Sequence, residues 1–127
     1  MLDRREQELT LIQAKYGEID VSPDLDWAII LRWELPSGWN KATTALLLQI
    51  PPGYPTTPPY GFGVEPDLRL AGGDEPTNAA GTLSIAERQW RQFSFSVEEW
   101  CPHANPTQGH NLLTFLAGVQ GRLRELN

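Results

Sequence analysis

Ile50-Pro51-Pro52-Gly53-Tyr54-Pro55-Thr56-Thr57-Pro58-Pro59-Tyr60-Gly61-Phe62 is the stretch on which the fold of this chain turns. Five of its thirteen residues are proline. Each proline fixes φ near −65° and removes a backbone donor, so neither a helix nor a central strand runs through it. Apolar and aromatic residues sit throughout it, which separates it from a polar linker. The strand candidate Ala45 to Ile50 feeds into it, and Tyr60 to Val64 leaves it as a second extended run. A rigid loop between two strands, with Tyr54 packed beneath it, is an architectural corner.

Upstream, Leu2, Leu9, Ile12 and Tyr16 fall at helical spacing, so Met1 to Tyr16 reads as a helix. Asp3 supplies a cap, Glu6 a first-turn acid and Gly17 a stop. Residues 19–21, 26–35 and 41–50 read as strands, with Ser22-Pro23-Asp24 and Pro36-Ser37-Gly38 as turns. Trp27, Ile29, Leu31 and Trp33 alternate as one face of a half-buried strand should. Connections this short favour antiparallel hairpins. Trp27, Trp33 and Trp39 read as core or turn packing in preference to a binding platform.

Downstream, Ala71 to Ala80 is an irregular loop rich in Gly, Asp and Pro. Gly81-Thr82-Leu83-Ser84-Ile85 and the polar-aromatic run Gln89 to Val97 follow it. Asn111 to Asn127 reads as a helix whose core face is Leu112, Leu113, Phe115, Leu116, Val119, Leu123 and Leu126. No internal repeat appears, and residues 1–127 read as a single α+β domain.

The chain has 127 residues, 40% of them hydrophobic and 20% charged, with a net charge of −6. The acidic balance argues against nucleic acid or an anionic membrane as partner, because both attract basic surfaces. No apolar run approaches the roughly 20 residues of a membrane helix. Met1 to Glu6 has no apolar stretch behind it, so no export signal is expected and the cytoplasm is the expected compartment. The single cysteine, Cys101, excludes an internal disulfide. Two histidines and one cysteine lack metal-ligand spacing, and no phosphate-binding glycine motif is present, so neither metal nor cofactor is expected.

Apolar strand, then Pro-x-x-Tyr-Pro-x-x-Pro-Pro, then an aromatic-bearing strand is similar to the signature of the ubiquitin-conjugating enzyme (UBC) superfamily, matched here by Pro51 to Pro59. The resemblance covers nearly the whole chain. It implies a UBC-like fold with an N-terminal helix, a four-stranded antiparallel meander, an irregular active-site segment and a C-terminal helix. Trp100-Cys101-Pro102 matches the family's Trp-Ser-Pro, and Gly81-Thr82-Leu83-Ser84 matches Gly-x-Ile-Cys, with serine in the thiol position. His-Pro-Asn is represented only by Pro76-Thr77-Asn78, without its histidine. The two C-terminal helices of eukaryotic members have no counterpart.

A bacterial branch, the prokaryotic UBC-like family E, is the better likeness. Its members keep a histidine after the reactive cysteine, a role that His103 or His110 would fill. The resemblance implies a ubiquitin-like-protein conjugating enzyme, with a ThiF-type activating enzyme and a ubiquitin-like protein as partners and a JAB-type protease in the same pathway. Arg4, Arg5 and Lys15 on the first helix become candidate partner contacts.

Position in the resemblance favours Ser84 as the acceptor over Cys101, which replaces a serine that is not the nucleophile in classical members. Accepting an acyl group from a thioester by near-neutral exchange needs a thiolate, and a free cysteine has a pKa of about 8.5. A nearby imidazole helps to deprotonate the thiol or to activate an amine. Cys101 is the only thiol and lies two residues from His103, yet it also reads as a small surface-loop residue. Ser84 holds the family's position but would form a stable, poorly reactive oxyester; it also reads as a polar residue at a strand end. The candidate catalytic residues are therefore Ser84, Cys101, His103 and His110. The alternative to an enzyme is a catalytically inactive module that only binds a ubiquitin-like protein or partner enzyme. Outside the family, the alternative is a scaffold subunit with a Trp-rich docking surface.

Overall fold

A computed structural model describes residues 3–76 and 81–125. Helix α1 is Arg4–Tyr16. The Asp3 carboxylate caps it, accepting from the backbone N–H of Arg5 at 2.6 Å and of Glu6 at 3.4 Å. Those donors have no partner inside the helix, so the cap fixes where it begins. Gly17 ends it at φ +90°, a conformation costly for a residue with a Cβ. Leu2, expected on the apolar stripe, lies outside the described residues.

Six strands occur among the described residues: β1 Ile19–Val21, β2 Trp27–Glu34, β3 Thr43–Gln49, β4 Phe62–Val64, β5 Thr82–Ile85 and β6 Arg88–Phe93. They form one antiparallel sheet in the order β1-β2-β3-β4-β6-β5. The first four make the expected meander. The expectation of four strands followed by an irregular active-site segment is corrected here: residues 82–93 form a hairpin that extends the sheet. Its reversal is made by Ala86 and Glu87 at φ 56° and 59°. Tight hairpin turns of this hand usually carry Asn and Gly, so the residues at the tip did not announce it.

Both faces of the sheet carry buried apolar residues. The helix-side core joins Leu9 and Ile12 of α1 to Ala28, Ile30, Leu46, Leu48, Phe62, Val64 and Phe93. On the other face Trp90 is buried against Ile29, Ala45 and Leu47. Gly63 makes room for it, since a Cβ there would stand 3.0 Å from the Leu47 Cβ and 3.2 Å from the Trp90 Cβ. The expected single face of Trp27, Ile29, Leu31 and Trp33 breaks midway. The β2–β3 register shifts between Ile30 and Trp33, and a one-residue slip reverses every later side chain. Ile29 therefore packs on the outer face, Leu31 is exposed and Trp33 enters the helix-side core. Trp33 and Trp39 are buried, as packing residues should be.

Helix α2 is Leu112–Arg124. Asn111 and Thr114 form a reciprocal capping box, each side chain accepting the other's backbone N–H at 2.9 Å. Leu112, Phe115, Leu116, Val119 and Leu123 are fully buried against the sheet, while Leu113 is half-buried. Leu126 lies outside the described residues. The proline corner packs as expected: Tyr54 is buried, its ring 6.2 Å from that of Trp100. No helix among the described residues is long and apolar enough to cross a membrane.

Candidate active site

Three of the four candidate residues lie in one loop. Between β6 and α2 the chain runs past Trp100 into residues 101–110, which close on themselves. The Cys101 N–H donates to Nδ1 of His110 at 2.8 Å, and the His110 N–H returns to the Cys101 carbonyl at 3.0 Å. Pro102 bridges to Gly109. Gly109 has φ +63°, and a Cβ there would fall 2.9 Å from the Cys101 carbonyl oxygen and 2.9 Å from the His103 Cβ. Only glycine closes the loop this tightly.

Local polar groups shape the tip. The Asn105 N–H donates to Nδ1 of His103 at 2.9 Å, and the Asn105 side chain accepts from the Thr107 backbone and hydroxyl. The Asn111 amide donates to the Pro106 carbonyl, so the residue that caps α2 also ties down the loop before it.

The same two bonds decide what the histidines can do. A ring whose Nδ1 accepts a backbone N–H carries its own hydrogen on Nε2. His103 and His110 are both held this way, so each presents an N–H donor and not a lone pair. In this geometry they are suited to stabilising negative charge on an oxygen and not to removing a proton.

The loop is anchored from two sides. The Trp100 indole N–H donates to the Pro55 carbonyl at 2.8 Å, and its ring stacks on His110 with centroids 5.2 Å apart. The tryptophan of the Trp-x-Pro match thus joins the loop to the proline corner. On the other side Arg4, in the first turn of α1, donates to the carbonyls of His103 and His110.

Arg4 is itself oriented by Glu8, which reading for catalytic residues missed. Glu8 is 1% exposed, and both oxygens of its carboxylate accept hydrogen bonds. Its Oε2 accepts from Arg4 Nε at 2.7 Å. Its Oε1 accepts from the Tyr54 hydroxyl at 2.5 Å and from the Leu112 backbone N–H at 2.6 Å. One carboxylate therefore fastens α1, the corner and the N-terminus of α2, where the helix dipole favours negative charge. Burial and the hydrogen bond to Glu8 push the Tyr54 phenol well above the usual range. The available signal was position: Glu8 lies four residues before Ile12, on the apolar stripe. Arg5 also binds within the chain, to the carbonyls of Pro51 and Pro52. Arg4 and Arg5, candidate partner contacts by resemblance, therefore fasten the helix to the corner and the loop.

Ser84 stands elsewhere, on the edge strand β5. It pairs with Gln89 across the hairpin, and its hydroxyl accepts from Gln89 Nε2 at 2.6 Å. Among the described residues no hydrogen bond joins Ser84 to either histidine or to Cys101. Cys101 is exposed. Of Pro76-Thr77-Asn78, the remnant of His-Pro-Asn, Thr77 and Asn78 lie outside the described residues. No group of three or more His, Cys, Asp or Glu suited to a metal ion occurs among those described.

The family model described as Prokaryotic E2 family E matches residues 1–125. No curated protein and no solved structure matches the chain significantly.

Proposed function

The chain belongs to prokaryotic E2 family E, and from that premise we propose that it is a conjugating enzyme that carries its modifier on Cys101. It is one UBC-like domain over residues 1–127, working in the cytoplasm. It takes a ubiquitin-like protein from a ThiF-type activating enzyme, passes it to an amine, and shares its pathway with a JAB-type protease.

The observation that carries this reading is the loop: the chain's single thiol is exposed on a loop that also carries two histidines, each offering an Nε2–H. The Cys101 thiolate attacks the carbonyl carbon of the modifier's thioester. A new C–S bond forms, the old one breaks, and the activating enzyme's thiolate leaves and is protonated. An amine then attacks the Cys101 thioester, loses its proton to water and expels the Cys101 thiolate. In both steps the carbonyl oxygen gains negative charge, which an Nε2–H of His103 or His110 within hydrogen-bond reach would stabilise.

Ser84 supports a second reading. It holds the family's thiol position, but its oxygen accepts from Gln89, and no hydrogen bond joins it to a histidine among the described residues. If that position is the functional one, the chain either carries the modifier as an oxyester on Ser84 or binds it without carrying it.

A non-reducing gel of the wild type, Cys101→Ala and Ser84→Cys proteins, each with activating enzyme, modifier and ATP, separates the two. The expected result is a thiol-sensitive adduct on the wild type that is lost in Cys101→Ala. An adduct that survives reducing agent and yields to base would move the acceptor to Ser84. No adduct on the wild type with retained modifier binding would replace the enzyme with the binding module, and a gain of adduct in Ser84→Cys would then mark Ser84 as the vacated position.

A further inference from the structure

The ten Lys and Arg residues of this acidic chain are unevenly committed. Arg4, Lys41, Arg69, Arg88, Arg91 and Arg122 each have a carboxylate partner. Arg5 is bound to the carbonyls of Pro51 and Pro52. The other three, Lys15, Arg32 and Arg124, have no carboxylate partner among the described residues, and all three line one groove of about 520 Å³ between the end of α1, β2 and the end of α2.

The floor of this groove is aromatic and internally satisfied. The Tyr16 ring stacks on Trp33 with centroids 4.8 Å apart. The Trp33 indole N–H donates to Gln120 Oε1 at 2.7 Å, and Gln120 Nε2 donates to the Glu34 carbonyl at 3.1 Å. What remains on offer is a half-buried ring with Lys15 Nζ 5.5 Å from its centroid, together with Arg32 and Arg124, and the Glu34 side chain is the opposing charge. Beyond Arg32 a second hollow of about 490 Å³ shares Tyr16, is lined also by the acidic Glu18, and reaches Leu31, one of the large apolar side chains left exposed.

We propose that this groove docks an acidic peptide segment of a partner protein, its carboxylates meeting Lys15, Arg32 and Arg124 and one aromatic or long apolar side chain seated between Tyr16 and Leu31. Charge decides the class of ligand. The net −6 of the chain repels acidic partners elsewhere, so cations gathered at one place give both an address and an orientation. Nucleic acid is the poorer fit, because three cations release too few counterions to offset the repulsion from the remaining surface. The groove uses none of residues 101–110, so it is independent of the acyl acceptor.

The probe is a fluorescein-labelled peptide of Asp and Glu flanking a single Phe. It is titrated by anisotropy into the full-length protein, with the Trp33 indole N–H followed by NMR. Saturable one-to-one binding is expected, weakening as ionic strength rises through about 0.15 M, with a shift of the Trp33 resonance. Arg32→Glu combined with Arg124→Glu should weaken it by roughly tenfold or more, as loss and reversal of two rim ion pairs requires. Circular dichroism checks the fold of that variant; if it is perturbed, Arg32→Gln with Arg124→Gln is read in its place and should weaken binding in the same direction. Absence of binding, or binding indifferent to these substitutions, overturns the proposal. So does inorganic tripolyphosphate shifting the Trp33 resonance as strongly as the peptide, which would mark a site for small anions. Each of these outcomes leaves the adduct gel unaffected.

Discussion

Replacing Glu8 by Gln tests the central polar junction of this fold. The substitution preserves shape and keeps one carbonyl-type oxygen for the Tyr54 hydroxyl and the Leu112 N–H. It removes the charge and turns an NH2 group toward Arg4 Nε, which now stands 2.7 Å from Oε2. Hydrogen bonds to charged groups contribute about 1.5–3 kcal/mol against about 1 for neutral ones. Two bonds therefore weaken by about 1 kcal/mol each. The Arg4 contact becomes donor against donor, adding about 1 kcal/mol more. The sum is about 3 kcal/mol, a large share of the roughly 5–15 kcal/mol that stabilises a domain. Urea unfolding followed by tryptophan fluorescence reads it directly. In a double-mutant cycle, Glu8→Gln and Tyr54→Phe should couple by about 1 kcal/mol, because they share one hydrogen bond. A loss below about 1 kcal/mol for Glu8→Gln, or strict additivity in the cycle, would show that the carboxylate is not the fastening the geometry implies.

Alkaline pH probes the same junction from Tyr54. Its phenol is raised by burial and by Glu8, so the unfolded chain ionises there near pH 10 while the native state keeps the proton. Stability is then full below about pH 10 and falls with rising pH at about 1.4 kcal/mol per unit; Tyr54→Phe should flatten that limb of a stability–pH curve, and an unchanged slope would contradict it. Gly109→Ala should open the 101–110 loop, because its Cβ meets the Cys101 carbonyl and His103; the expected result is loss of the His110–Cys101 contact in NMR and a slower adduct on the gel, with the core intact by circular dichroism. Phe115→Ala on α2 removes a fully buried ring and should lower unfolding free energy by about 3–5 kcal/mol in the same urea assay; a loss under about 1 kcal/mol would mean that α2 is peripheral to the sheet.

Local chemistry in the sequence determined a good deal. The Asp3 cap, the Gly17 stop, the buried stripe from Leu112 to Leu123 and the corner with Tyr54 beneath it all rest on interactions within a few residues, or on a periodicity that one buried face imposes. The residue pattern from Pro51 to Pro59, with Trp100 and Pro102, carried the family resemblance for the same reason. It consists of φ restrictions and aromatic anchors that can be read one at a time.

The tertiary structure decided the rest, because each missed feature joins residues that are remote in sequence or depends on register. The β2 slip that sends Trp33 to the helix side is set by pairing with β3, and no spacing along β2 encodes it. The β5–β6 hairpin forms through an Ala86-Glu87 turn and is secured by Trp90 closing over Gly63, a contact between strands far apart in the chain. Glu8 reads as an ordinary surface acid until Tyr54, Leu112 and Arg4 converge on it across up to 104 residues. The candidate site divides along the same line. Cys101, His103 and His110 were nameable from residue type, but the backbone bonds that turn both imidazoles into donors, and that leave Ser84 on a separate strand facing Gln89, exist only once the loop has closed.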